Sequence, residues 1–206
     1  MEIKRTANAG VLLKMDGVSI LLDGVCRELS PYLGTPDVIR NELVAIFPDV
    51  LAFTHMHEDH YDETYAELYE KDTLRSVYGP ELSRFIEVGD VRIQAVPTRH
   101  IGKSYIPHVS FIINGSKCVW FMGDSSPLVV KKFDNIPSPD VLIVPYAYVN
   151  TNTAWQITKS IGVKHIVILH MPKRENDIYR LWEAVESTVG ITDNIHIPDI
   201  GESIVL

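Results

Sequence analysis

The sequence predicts an α/β fold in which two β-sheets pack together and helices cover the outside. Short strand-like apolar runs fill the first part of the chain, strands and helices alternate in the second, and no linker-like stretch interrupts either. The whole chain, 1–206, is therefore read as one domain.

Taken in order, residues 11–15 and 18–23 are the first two strands, turned by Asp16-Gly17, a two-residue hairpin signal. Residues 36–47 have helical spacing, with Val38, Ile39, Leu43 and Ile46 on one stripe. A short buried strand, 50–53, leads into a helix over 62–69. Residues 91–96 alternate as a strand that delivers Pro97-Thr98-Arg99-His100 at its end. Strands 108–113 and 117–122 are joined by Asn114-Gly115, and 141–144, a helix near 154–161 and strand 165–169 form a βαβ unit. A long amphipathic helix is expected over 176–189, carrying Ile178, Leu181, Trp182 and Val185 on one side. A strand pair around Ile195-His196-Ile197 and Ser203-Ile204-Val205 is expected to close the chain.

Composition narrows the function. An apolar fraction of 46% supports a sizeable core, and the net charge of −8 with no basic stripe argues against a nucleic-acid partner. No apolar run approaches the length of a membrane span, and Lys14 and Asp16 interrupt any signal-like segment. Cys26 and Cys118 make no disulfide framework and are read as structural; a reduced, cytoplasmic compartment is expected.

The chemistry is concentrated in His55-Met56-His57-Glu58-Asp59-His60, four potential metal ligands in six residues on a strand-to-helix turn. His55 and His57, at i and i+2, share a side of an extended chain and can reach one ion. Asp59 and His60 lie past the bend, so a second, adjacent ion is expected. His100, Asp124 and His170 each follow an apolar strand and stand near a turn residue, where side chains of one sheet edge converge.

That hexapeptide, followed in order by His100, Gly123-Asp124 and His170, resembles the metallo-β-lactamase superfamily of dinuclear hydrolases along nearly the whole chain. The resemblance implies a four-layer αββα sandwich with two divalent ions at one edge. It places one ion on His55, His57 and His100 and the other on Asp59, His60 and His170, with Asp124 bridging. Zn²⁺ suits such donors first, with Mn²⁺ or Fe²⁺ as alternatives. The implied reaction is attack on an acyl or phosphoryl centre by a hydroxide shared between the ions, with Asp59 as the catalytic proton relay. Within the family, His57 stands where the redox-active diiron branch has Glu. No Cys is placed as a ligand, and the chain is short for the larger thioesterases and nucleases. The compact lactonase-like branch and small phosphodiesterases remain.

The expected function is thus hydrolysis of an ester or lactone in a small-molecule substrate. A phosphodiester is the alternative, and a non-catalytic metal-binding relative the third reading. Tyr146, Tyr148 and Asn150 are the candidate substrate residues, on a segment rich in hydroxyl and amide donors; Thr151 or Thr153 can equally cap the next helix. Asp23 is read as orienting a ligand imidazole, with a plain turn residue as the competing view. Arg99 and Lys103 are read as solvated. His108, His165 and His196 are given structural roles, and a homo-oligomer stays open.

Overall fold

Alternation along each strand dictates which side chains meet between the sheets and which meet helices. The computed structural model describes residues 1–80, 85–133, 136–190, 192 and 194–206. One sheet contains β1 (Glu2–Arg5), β2 (Val11–Met15), β3 (Val18–Leu22), β4 (Val50–Ala52) and β5 (Val77–Tyr78), adjacent in that order. The other contains β6 (Phe85–Val88), β7 (Val91–Pro97), β8 (Val109–Asn114), β9 (Cys118–Phe121), β10 (Val141–Pro145), β11 (His165–Leu169) and β12 (Ile195–His196), also adjacent in order. A last strand, β13 (Ser203–Val205), returns to the first sheet beside β1.

Val11 and Leu13 of β2, Ile20 and Leu22 of β3, and Val167 and Leu169 of β11 enter the core between the sheets. Leu12 and Leu21 face the other way, with Ile39, Leu43, Tyr65 and Tyr69 of α1 (Asp37–Ile46) and α2 (Glu63–Thr73). On the far side, Ile166 and Ile168 pack with Leu181 and Val185 of α4 (Leu181–Val189), and α3 (Asn152–Lys159) connects β10 to β11. The result is the αββα layering, with each two-residue period feeding two cores. Among the described residues no helix is long and apolar enough to cross a membrane.

Strand direction positions the site. β7 and β8 are antiparallel, β8 and β9 antiparallel, and β9, β10 and β11 parallel. The C-terminal ends of β7, β9 and β11 therefore lie on one edge of their sheet. His100, Asp124 and His170 follow those ends.

Two expectations at the C-terminus need correction. The helix expected over 176–189 begins only at Leu181. Asp177 takes the amides of Leu181 and Trp182 on its two carboxylate oxygens at 2.9 and 2.8 Å, and Arg180 turns left-handed (φ 54°), so the helix starts there. Ile178 stays outside it, exposed. The closing strands do not pair with each other: β12 runs parallel to β11, and β13 antiparallel to β1. The segment from β12 to β13 crosses between the sheets beside Arg5, whose guanidinium donates to Pro198 O at 2.9 Å and whose carbonyl accepts from Gly201 N at 2.7 Å.

Candidate metal centre

β4 runs into Phe53, Thr54 and then His55, and the hexapeptide turns before α2. Asp62, not Asp59, caps that helix, accepting from Tyr65 N at 2.9 Å. Asp59 is thereby left to the site.

Two donor groups form. His55, His57 and His100 present ligand atoms within 4.8 Å of one another, and so do Asp59, His60 and His170. Asp124 lies between them: its Oδ1 is 3.5 Å from His60 Nε2, and its Oδ2 is 3.6 Å from His170 Nε2 and 3.9 Å from His100 Nε2. All seven predicted metal ligands thus converge, and all but half-buried His57 are buried.

Hydrogen bonds behind the rings set their tautomers. Thr54 Oγ1 gives its proton to Asp23 Oδ2 at 2.6 Å, so it accepts from His55 Nδ1 at 3.0 Å and leaves His55 Nε2 as a lone pair. Asp23 Oδ2 also holds His60 Nδ1 at 2.9 Å, and Ile101 O holds His100 Nδ1. The opposite nitrogens of His60 and His100, and both nitrogens of His170, are buried with no hydrogen-bond partner among the described residues. His170 Nε2 comes within 3.2 Å of Asp59 Oδ2. Buried lone pairs aimed at a carboxylate pair are costly unless a cation lies among them, so this donor set fits divalent ions. Asp23, His55 and His60 also cluster, and the Asp23 carboxylate accepts from Thr54 N (2.7 Å), Thr54 Oγ1 and His60. Asp23 thereby fixes the His60 ring directly and the His55 ring through Thr54.

Without an ion the imidazoles themselves supply the balancing charge: burial opposes it on His60, yet Asp124 and Asp23 raise that ring well above the usual histidine range. Burial, reinforced by neighbouring His60, holds His55 neutral far below the usual histidine range. Burial opposes charge on Asp124, yet His170 and His60 outweigh it and keep the carboxyl well below its ordinary value.

Loop contacts that sequence reasoning missed complete the site. Asn8, fully buried between β1 and β2, donates from Nδ2 to Asp59 Oδ2 at 3.3 Å, and its carbonyl accepts from His170 N at 3.1 Å. His170 itself is left-handed (φ 62°), a conformation rare outside glycine and common at functional sites. Tyr32 lays its ring edge-on to His170, centroids 4.3 Å apart, and its hydroxyl lies 3.3 Å from that of Tyr146. Neither Asn8 nor Tyr32 belongs to a periodic element, so an aromatic in a proline-containing loop was the only available signal.

The three candidate substrate residues separate. Tyr146 stands 5.9 Å from the His170 ring, half-buried, and Asn150 lies half-buried before α3. Tyr148 is a correction: it is fully buried, donates to Ser126 O at 3.3 Å and accepts from Ser125 Oγ at 2.6 Å, so it braces the Asp124 loop from the core. Thr151 caps α3, accepting from Ala154 N at 3.2 Å. Arg99 and Lys103 are exposed. His165 lies against His196 at 3.3 Å, at the opposite end of β11 from His170. Burial pushes His108 down to about 3, and its Nδ1 meets Thr98 Oγ1 at 2.8 Å, but its Nε2 is buried without a partner, so the satisfied role expected of it is only half met.

A family model described as a beta-lactamase superfamily domain matches residues 2–170. The UPF0173 protein PF0020 of Pyrococcus furiosus is 31% identical over 163 residues, covering 70% of each chain. A possible metal-dependent hydrolase from Veillonella parvula shares the fold with a TM-score of 0.72 at 14% identity, over 100% of this chain and 99% of its own. An isothiocyanate hydrolase from Delia radicum gut bacteria does so with a TM-score of 0.69 at 17% identity, again over 100% and 99%. Matched in sequence over most of its length and in fold over all of it, the chain belongs to the metallo-β-lactamase superfamily.

Proposed function

We propose that this protein is a dinuclear metal-dependent hydrolase that cleaves an ester or lactone bond in a small molecule. One observation carries the reading: two three-residue donor groups flank Asp124, and the Nε2 atoms of His60, His100 and His170 are buried without partners. His55, His57 and His100 would hold one ion and Asp59, His60 and His170 the other, with Asp124 shared. Zn²⁺ is the first choice. When bound, such ions supply water activated near neutrality and a Lewis-acid pull on a substrate oxygen.

The chain's own residues do the rest. Asn8 fixes Asp59 through Oδ2, which leaves Oδ1 to receive a proton and pass it to the leaving oxygen. Tyr32 and Tyr146 offer uncharged hydroxyls beside His170. Neutral donors suit a carbonyl or alkoxide oxygen and leave no full charge to balance a phosphodiester. Arg99 and Lys103, exposed beside His100, are the observation favouring phosphodiester cleavage as the second reading.

Metal-reconstituted protein should hydrolyse p-nitrophenyl acetate or members of a lactone panel faster than bis-p-nitrophenyl phosphate. His57→Ala and Asp124→Ala should abolish turnover and lower metal content. Phosphodiester turnover alone would transfer the assignment to the second reading. A fully active Asp124→Ala would end both.

A further inference from the structure

His108 is the buried histidine to which the proposed chemistry gives no task. Its backbone joins two ligand-bearing segments. Its carbonyl accepts from Thr98 N at 3.0 Å, two residues before His100, and the next residue, Val109, donates to Thr54 O at 3.0 Å, one residue before His55. Its side chain reaches a third. Nδ1 lies 2.8 Å from Thr98 Oγ1, Thr98 Oγ1 lies 3.0 Å from Ser110 Oγ, and Ser110 Oγ donates to Met122 O at 3.1 Å. Met122 stands two residues before Asp124. His108 therefore occupies the junction of β4, β7 and β9, strands of both sheets that end in His55, His100 and Asp124.

Proton counting orients the ring. Met122 O only accepts, so the Ser110 proton goes there. Ser110 Oγ then accepts from Thr98, and Thr98 Oγ1 accepts from His108 Nδ1–H. All three hydrogen bonds coexist only in this order. His108 is thus the Nδ1–H tautomer, and its Nε2 is a bare lone pair, buried, with no hydrogen-bond partner among the described residues. The ring centroid lies 5.2 Å from that of His55 and 5.7 Å from that of His100. An apolar ring would fill this space without an unmet acceptor. An imidazole held by this chain instead keeps a ring of fixed orientation beside two of the rings assigned to the first ion.

We propose that His108 is a positioning residue for that ion: the Thr98–Ser110–Met122 chain locks its ring against His55 and His100 and ties both to the strand bearing Asp124. The inference rests on the metal-centre reading of the site. Outer partners of this kind characteristically change metal affinity by about 10–100-fold when lost.

Cobalt(II) titration of the metal-stripped full chain tests this without reference to turnover. Wild-type protein should take up two equivalents with visible d–d absorption. His108→Phe, which keeps a ring and removes its nitrogens, should weaken one equivalent by roughly 10–100-fold and alter the spectrum, while the metal-free protein melts close to wild type. Thr98→Val cuts the relay one step away and should weaken the same equivalent by less. If His108→Phe does not fold, Thr98→Val decides alone. Wild-type affinity and spectrum in the folded variants overturn the role of His108 and leave the hydrolase reading standing. A wild type that takes up no cobalt overturns both.

Discussion

Asp23 Oδ2 sits 2.9 Å from His60 Nδ1, and both side chains are fully buried. The same carboxylate accepts the Thr54 amide at 2.7 Å and hydroxyl at 2.6 Å, and that hydroxyl supports His55. One carboxylate therefore orients a ligand of each proposed ion. Asparagine at 23 would turn an N–H₂ toward donors. Asp23→Asn is expected to lower metal affinity by roughly 10–100-fold, measured by competition with a chromogenic chelator. Unchanged affinity would show that the two histidines hold their orientation without it.

Gly123 leads into Asp124 with φ 52°, and a Cβ there would lie 2.6 Å from the Thr54 side chain. The glycine lets the Asp124 loop approach the residue that aligns His55. Gly123→Ala combines a left-handed strain with that collision, and should destabilise the fold by on the order of 2 kcal/mol. Thermal unfolding of the metal-free protein reads this directly. A melting point equal to wild type would mean that the loop can shift without cost.

The convergence of the seven candidate ligands was legible because each comes after a strand whose apolar run shows in the sequence. The hexapeptide after β4 and the isolated His100, Asp124 and His170 sit where sheet edges put functional groups. What was not legible depends on contacts between remote segments. Asn8 meets Asp59 across 51 positions, and Tyr32 meets Tyr146 across 114, from loops with no period to announce them. The apparent helix over 176–189 failed because side-chain capping by Asp177 outcompetes an apolar pattern that is only marginal before Leu181. Tyr148 shows the limit of composition. A hydroxyl in a polar loop looks like a substrate contact until the backbone turns it into the core against Ser125.

Tyr32 permits a clean separation of packing from hydrogen bonding. Tyr32→Phe keeps the edge contact with His170 and removes the hydroxyl that meets Tyr146. Metal content should stay at wild-type level, while kcat/KM for the preferred ester falls roughly tenfold, the worth of one neutral hydrogen bond. Tyr32→Ala should also lower metal retention, because His170 loses the ring packed at 4.3 Å. Equal kcat/KM in Tyr32→Phe and wild type would remove the hydroxyl from the proposed mechanism.

Asp140 provides a pH test away from the candidate metal ligands. Lys164 Nζ contacts its Oδ1 at 2.6 Å and Cys118 N donates to its Oδ2 at 2.9 Å, and these two hold the carboxyl below the ordinary range. Its backbone also joins the starts of β9 and β11, donating to Cys118 O at 2.8 Å and accepting from His165 N at 3.0 Å. A depressed folded-state value contributes stability that is complete above the unfolded value of about 3.9 and fades as pH falls through the folded one. Asp140→Asn should therefore melt lower than wild type near neutrality by a margin that holds down to about pH 5 and shrinks below about pH 4. The check is a pair of melting curves at each pH. A margin that persists undiminished in strong acid would assign the loss to the amide's altered hydrogen bonding, and not to the charge that Lys164 stabilises.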